Sequence, residues 1–474
     1  VPAIWSERAK HKMERWAQQA GLIDRNIFKH LRIVYEPDCA SISCQYEAAD
    51  EDEKSFQPGE RYILIDAGGG TVDIACHQVK APFEMEEIYH PTGGPWGSDY
   101  IDDEFDKLLD EVFGQGAVDT FRSTYPANYT TIRDNFRKQK MNFYNKPDAE
   151  FLKVELTMDF KTEIAAYSPE KFHVVASKDD DFESIVSNSR PYGLEAGKHL
   201  QCKDDALLIS KTIWRKHLFD KVIDPMIDHV KSLIKKVDMI KAKGDDDVPK
   251  KLTYLCIAGG LASSRYFQHR VHEAFGKGSE YNLSIRVPRR PILSVIDGAL
   301  RLGLRPNYIK TRRVKYTYGI AVDRSEKNVE KIKDKLPANY IEENSYTHPN
   351  THKRTVRNLF SAFIKKNDAV DLDEAIEKKY RRFHKNEKTS KISIYYSPKE
   401  EPYYIEKNQQ PLASVTITFP DEYQGLPFIV QFFFGETQIR AKVLYEDKSN
   451  NKDNKQPKLM RDLELEFHDL FTKE

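Results

Sequence analysis

Two aspartates bracket a glycine triplet in Asp66-Ala-Gly68-Gly69-Gly70-Thr71-Val-Asp73, and residues of these types at this spacing could hold a phosphate chain. Three successive glycines predict a turn that enters φ > 0 and approaches a ligand without Cβ interference. Bare amides in such a turn hold phosphate oxygens. The Thr71 hydroxyl and the Asp66 and Asp73 carboxylates can face a hydrated Mg²⁺. The alternative is a glycine-rich β-hairpin without a ligand, since hairpin turns commonly use glycine. Two further stretches repeat the pattern. In Ala258-Gly259-Gly260 an apolar run ends on a glycine pair, and Ser263 or Ser264 then caps a helix. A strand that leaves through Gly-Gly into a helix N-terminus is either an anion seat or an unliganded turn. Gly93-Gly94-Pro-Trp96-Gly97-Ser98 reads as a phosphate or hinge contact, or simply as the loop before a helix.

These turns need rigid elements around them. Tyr62 to Ile65 is a short apolar, β-branched run expected as a buried strand. Val72, Ile74 and Cys76 alternate with Thr71, Asp73 and Ala75, giving a second strand of period two. Upstream, Ser6 is a good N-cap for a helix from Glu7 to Ala20 carrying Met13, Trp16, Ala17 and Ala20, with Gly21 ending it. Arg32 to Glu36 reads as a short strand stopped by Pro37, Cys39 to Cys44 as the opening of another helix, and Glu47 to Glu60 as an acidic loop. Downstream, a helix is expected from Ile101 to Phe113, with Asp102, Asp103 and Glu104 in its first turn, where the dipole favours anions. Ile132 to Phe143 is a basic amphipathic helix of the kind that usually presents a solvated face. Lys161 to Lys203 is weakly patterned and reads as peripheral. Ile213 to Ile240 is strongly amphipathic, with Pro225 expected to bend it and Gly244 to Asp247 as its exit loop. Ile292 to Leu304 is an apolar helix whose Gly298-Ala299 pair allows close packing.

From about Ile309 the character changes. Thr311-Arg-Arg-Val-Lys315 is a basic connector, and alternating or continuous apolar runs follow at Val415 to Phe419, Phe428 to Phe434, Ile439 to Val443 and Leu463 to Phe467. They predict a β-rich second domain of sandwich type. Asp371 to Phe383 has helix propensity, and residues 448–458 form a polar insertion.

With 474 residues the chain has room for two or three domains. Lys+Arg and Asp+Glu are 74 each, so no overall field favours nucleic acid or an anionic membrane. No apolar run reaches transmembrane length. The five cysteines form no C-x-x-C pair, which points to reduced thiols in a cytoplasmic or nuclear protein rather than to a disulfide scaffold or zinc site. The sequons at Asn128 and Asn282 read as chance matches. Walker A, dinucleotide G-x-G-x-x-G, H-E-x-x-H and G-x-S-x-G motifs are all absent.

Val1-Pro-Ala-Ile-Trp5, Glu36-Pro37, Asp66-Ala-Gly-Gly-Gly-Thr-Val-Asp73 and Ala258-Gly-Gly260 stand in the order seen in the actin-like ATPase domain of the 70-kDa heat-shock proteins. Gly93-Gly-Pro-Trp-Gly-Ser98 and Thr317-Tyr-Gly-Ile320 are especially similar to the divergent heat shock 70 kDa protein 12 branch of that family. The resemblance implies α/β actin-like (ribonuclease H-like) ATPase lobes over residues 1–310, N-terminally incomplete, followed by a β-sandwich-like client-binding domain over 311–474. It implies ATP or ADP with Mg²⁺ between two lobes. Gly68, Gly69, Gly70 and Thr71 match the second phosphate loop, and Gly259 and Gly260 the adenosine turn. Gly93, Gly94 and Gly97 fall in with the nucleotide contacts, and Lys140 lies where a lysine of the adenine-side helix is expected. Asp66, Asp73 and Glu36 match the carboxylates that orient Mg²⁺ and the attacking water, Glu36 through water. Protein or peptide clients would bind the β domain, and the resemblance favours an extended Asp371 to Phe383.

The sequence departs from the family pattern at four points. The first phosphate loop, which in the family precedes Val-Pro-Ala, is not in this chain. Leu261-Ala262-Ser263 replaces the usual Ser and adenine-stacking Arg, and Arg265 comes two positions late. Thr311 to Lys315 replaces an apolar interdomain linker, and no helical lid follows the last strand. The expectation is a divergent 70-kDa-heat-shock-like protein with weak or absent hydrolysis. A non-catalytic scaffold or signalling adaptor and, more remotely, a small-molecule kinase on the same fold are the alternatives.

Overall fold

A computed structural model describes residues 1–22, 31–50, 55–144, 149–167, 182–203, 206–240, 251–348, 352–380, 389–418, 428–445, 458–463 and 466–467. Helix α1 spans Glu7–Gln19, and the Ser6 side chain accepts from the Ala9 amide. Its apolar residues do not form the buried face. Trp16 is exposed, and the one fully buried side chain is Lys10. The expected strand at Arg32 to Glu36 does not form; helix α2 begins at Glu36 and continues to Asp50, into the first four residues of the stretch read as a loop. Pro37 starts this helix rather than stopping a strand, because a first-turn residue has no intrahelical use for its N–H.

Strand β1 (Arg61–Ala67) pairs antiparallel with β2 (Val72–Ala81), which pairs antiparallel with β3 (Glu84–Gly94). On its other side β1 runs parallel to Leu252–Ala258, which is parallel to Ser284–Arg286. Every residue of β1 is buried, and β2 is buried from Val72 to Val79 despite its alternating sequence. Helices cover both faces of this sheet. Ile63, Ile65, Val72 and Ile74 join one apolar cluster with Ile101 and Phe105, whereas Tyr62, Leu64 and Val79 join another with Ala40 and Cys44 of α2.

Helix α3 runs Ser98–Phe113, and the basic helix Pro126–Asn142 buries Ile132, Phe136 and Lys140 while the rest of its charge stays outside. The described parts of the segment read as peripheral contribute to the core: Ile164, Phe182, Val186 and Leu200 all belong to the larger cluster. Pro225 lies inside a helix, Asp220–Val237, that continues past it; the irregularity is a wide π turn upstream at Trp214–Phe219. The predicted exit loop at 244–247 lies outside the described residues. Gly298, in the helix Ser294–Leu304, meets α2 so closely that a Cβ would fall 1.7 Å from the Cys39 carbonyl oxygen.

The basic connector is a strand. Ile309–Arg313 pairs parallel with β3 and antiparallel with Ala369–Asp371, so the seven-stranded sheet takes its edge strand from the C-terminal region. Beyond it lie a six-stranded and a four-stranded sheet, antiparallel throughout the described pairs. One cluster is built from both: Tyr318, Ile394 and Ile417 from the first, Val430, Phe432 and Ala441 from the second. Ala375–Tyr380 is a strand despite its helix propensity, because pairing with Phe428–Phe433 overrides local preference. The run read as one strand from Leu463 to Phe467 is divided between Lys458–Leu463 and Glu466–Phe467. Phe419 and most of the polar insertion lie outside the described residues.

Candidate functional site

The glycine turn closes on itself through Gly68, whose amide donates to the Thr71 carbonyl (3.0 Å). None of Gly68, Gly69 and Gly70 has the positive φ expected from the sequence. Their use is proximity. The Gly68 and Gly69 carbonyls accept from the first amides of α3, Ser98 (3.0 Å) and Asp99 (2.9 Å). A Cβ on Gly97 would stand 2.0 Å from the Gly69 oxygen, so the second glycine turn is packed directly onto the first. Gly93 lies against the Val72 carbonyl and Gly94 against the Trp96 ring, which commits both to internal contacts. The left-handed position is Gly259 (φ +87°), where a Cβ would come 2.4 Å from the Ala67 oxygen and 2.6 Å from Asp66 Oδ1. Gly70 and Gly260 differ from these. A Cβ there would meet nothing within 4 Å, so neither backbone conformation nor a protein neighbour requires glycine at either place. Gly69 and Gly70 are exposed.

The three glycine turns therefore converge at the end of β1, and the carboxylates come with them. Asp66, 5% exposed, has no hydrogen-bond or ion-pair partner among the described residues. Burial, then the neighbouring Glu36 and Asp73 carboxylates, push its pKa up to about 7. Asp73 is committed: Oδ1 accepts from the Ala3 (2.6 Å) and Ile4 (3.1 Å) amides, and Oδ2 from the Thr71 hydroxyl (2.9 Å). Burial nevertheless raises its pKa, as it does that of Glu36. These three do not form a cluster tight enough for all to ligate one ion directly. Lys140 is buried and bonds to the Ser98 carbonyl (2.9 Å), the Ser98 hydroxyl (2.8 Å) and Asp102. Arg137 Nε holds the other Asp102 oxygen at 2.7 Å. Lys140 thus secures the start of α3 behind the glycine turn. Ser264, not Ser263, caps the helix Arg265–Phe275.

A second charged group was not foreseen from the sequence. Asp38, His77 and Glu87 are buried together, and Arg312 of the connector strand bridges Asp38 (2.8 Å) and Glu87 (2.5 Å). Burial opposes ionisation of Asp38, but Arg312 and His77 outweigh it and lower its pKa, whereas burial raises that of Glu87. Tyr35 lies beneath Arg312 and accepts from Lys10 Nζ (3.1 Å); Lys10 also bonds to the Thr437 carbonyl in the β-rich region. Nothing in the sequence marks these charges as buried, since their types are those of an ordinary surface.

No protein-family model matches the chain. Against curated proteins it is 27% identical over 457 residues to mouse heat shock 70 kDa protein 12A, covering 85% of this chain and 61% of that protein. Human heat shock 70 kDa protein 12A is 26% identical with the same coverage, and human heat shock 70 kDa protein 12B is 24% identical over 454 residues. The chain spans about three-fifths of the length of these relatives. The mixed α/β architecture is consistent with an actin-like ATPase fold, and the relatives that the chain matches are named as heat shock 70 kDa proteins. All three are proteins of the heat shock 70 kDa protein 12 branch, the branch that the sequence motifs resemble. No described helix is long and apolar enough to cross a membrane.

Proposed function

We propose that this chain binds ATP or ADP with Mg²⁺ at the convergence of the glycine turns, and that its β-rich region binds a protein client or partner. The observation that carries the reading is Asp66: a buried carboxyl with no ion-pair partner among the described residues, beside two other acids and two glycines that open onto free space. Its nearest positive charge is the Val1 ammonium, which pairs with Glu36 (3.7 Å). Such a site gains from an external cation. Gly69, Gly70 and Thr71 would receive phosphate oxygens on their amides, and Asp66 and Glu36 would hold the hydrated ion. When bound, Mg²⁺ supplies neutralisation of phosphate charge. Gly259 fixes the seat of the nucleoside against the end of β1.

Hydrolysis is weak or absent in this reading. Asp73 already accepts three hydrogen bonds, which leaves it little capacity to orient an attacking water. Lys140 acts on α3 rather than on the ligand. The second reading is a scaffold in which the acids serve the architecture, and the Lys10 bond to Thr437 favours it because it ties the β-rich region to α1.

Isothermal titration of ATP and ADP with Mg²⁺ separates the two. Saturable heats that disappear in Gly70→Val, a position with room for a side chain, support the nucleotide site. Absence of binding by the wild-type chain leaves the scaffold. Under the scaffold reading Asp66→Asn leaves partner binding unchanged.

A further inference from the structure

The β-rich region contains an open groove of about 550 Å³, far in sequence from the glycine turns. One wall is Asp334 to Pro337, at the end of a short 3₁₀ segment; the other is the connection from Tyr396 to Gln409. We propose that this groove docks an extended, proline-rich segment of a partner protein. The inference rests on reading the β-rich region as a binding module and adds to it a surface and a ligand class.

The groove is lined by fourteen residues, among which are three tyrosines (396, 403 and 404) and three prolines (337, 398 and 402), with Leu336 as the one aliphatic side chain. The rings are held from behind. Tyr396 packs on Tyr316 (4.9 Å between ring centres) and Tyr404 on Tyr340 (5.2 Å). The Tyr403 carbonyl accepts from Phe360 (3.0 Å) and the Ile405 amide donates to Asn358 (2.8 Å), which anchors this connection to the strand Arg354–Ile364. A rigid aromatic surface of this kind loses little entropy on binding.

Two of the tyrosines have donors to spare. The Tyr403 hydroxyl bonds to Glu401 (3.2 Å), but those of Tyr396 and Tyr404 have no hydrogen-bond partner among the described residues. A polyproline II chain is the complement of such a surface. Its carbonyls make no internal hydrogen bonds, its rings stack on aromatic faces, and it is already ordered before binding. An amphipathic helix would need aliphatic anchor pockets, and Leu336 alone does not make one. Three acids and two lysines line the groove, which disfavours a phosphate ligand. Glu401 is paired with Lys365 (2.6 Å) and Glu406 with Lys399 (3.5 Å). Asp334 has no partner among the described residues, so it is the acid available to an Arg or Lys flanking the proline run.

The test uses the whole chain and a fluorescein-labelled dodecapeptide with one terminal Arg and prolines in P-x-x-P spacing, read by anisotropy without nucleotide. Saturable binding is expected, at least about tenfold tighter than to the same peptide with glycine for proline. The double variant Tyr396→Phe with Tyr404→Phe keeps the rings and hence the fold, and should bind about tenfold or more weakly, each hydroxyl contributing several-fold. Asp334→Lys should weaken the Arg-bearing peptide and leave its Arg→Ala counterpart unchanged. No saturable binding, equal binding of the glycine peptide, or an unaffected double Phe variant would each overturn the inference. If a leucine-rich helical peptide binds while the proline peptide neither binds nor competes, this inference fails and the binding-module reading stands. If no peptide of either kind binds, both fail.

Discussion

Two buried groups of acids lie within this fold, and they differ in where their positive charge comes from. Around Asp38 and Glu87 the chain supplies it: Arg312 bridges both carboxylates, and His77 stands 3.6 Å from Asp38. Around Asp66 the chain supplies none that this carboxyl can pair with among the described residues, and its pKa stands near 7. The first arrangement has its charge balanced from within the chain, although Asp38 Oδ1, His77 Nε2 and Arg312 Nε make no hydrogen bond among the described residues. The second carries three acids against the single Val1 ammonium, which pairs with Glu36 (3.7 Å) rather than with Asp66, next to a turn whose glycines 69 and 70 face outward. A site in that condition is what the proposed nucleotide and its cation would fit. The metal-like spacing of Asp38, His77 and Glu87 is therefore the less informative signal of the two, because a guanidinium already fills it.

The largest test of this contrast is Arg312→Met. Removing the cation strands two buried carboxylates, and the change should destabilise the chain by about 3–5 kcal/mol in urea unfolding. A loss under about 1 kcal/mol would mean that the cluster is solvated and that the contrast is false. Asp66→Asn should do the reverse. The folded pKa of Asp66 lies above the ordinary carboxyl value, so the folded state holds the proton more tightly than the unfolded chain does. Stability attributable to this group is present at low pH and is lost as pH rises from about 4 through about 7. Asn should therefore stabilise the chain at pH 8 by on the order of 4 kcal/mol and do little at pH 4. A variant that is less stable than wild type at pH 8 would contradict the unpaired assignment.

The glycines sharpen the same comparison. Gly259→Ala forces a side chain into a left-handed conformation against the Ala67 carbonyl and should lower stability by about 1–3 kcal/mol. Gly70→Ala meets open space and should change stability by less than about 0.5 kcal/mol while weakening nucleotide binding. Ser264→Ala, which removes only the cap of the helix Arg265–Phe275, sets the scale of an ordinary local loss at about 1 kcal/mol.

The turn-bearing strands, the Ser6 cap and the β-rich C-terminal third were legible in the sequence, and the cap of the helix Arg265–Phe275 was narrowed to Ser263 or Ser264, because apolar period and capping residues report local structure directly. What failed were readings that depended on tertiary context. Alternation in β2 suggested one buried face, but helices on both sides bury both. Pro37 looked like a strand end and is a helix start. The basic connector became an inner strand of the sheet because Glu87 and Asp38 neutralise Arg312, a pairing 225 and 274 residues apart in sequence. At the site, the glycine turns and carboxylates named from the sequence lie near one another at the end of β1, while their division of labour was not visible. Whether a glycine serves φ, packing or open space, and whether a lysine faces a ligand or a helix end, depends on neighbours that no local pattern encodes.

The central claim is that Asp66 is an acid with no ion-pair partner among the described residues, kept for a cation-bearing ligand. It is tested most directly by following the side-chain carboxyl ¹³C resonance of Asp66 in aspartate-labelled protein, assigned by its absence in Asp66→Asn. The account predicts a midpoint near pH 7 in the free chain and a fall toward the ordinary carboxylate range, near 4, when Mg²⁺ and ADP are added. A midpoint near 4 in the free chain, or one near 7 that saturating Mg²⁺ and ADP do not move, would contradict it.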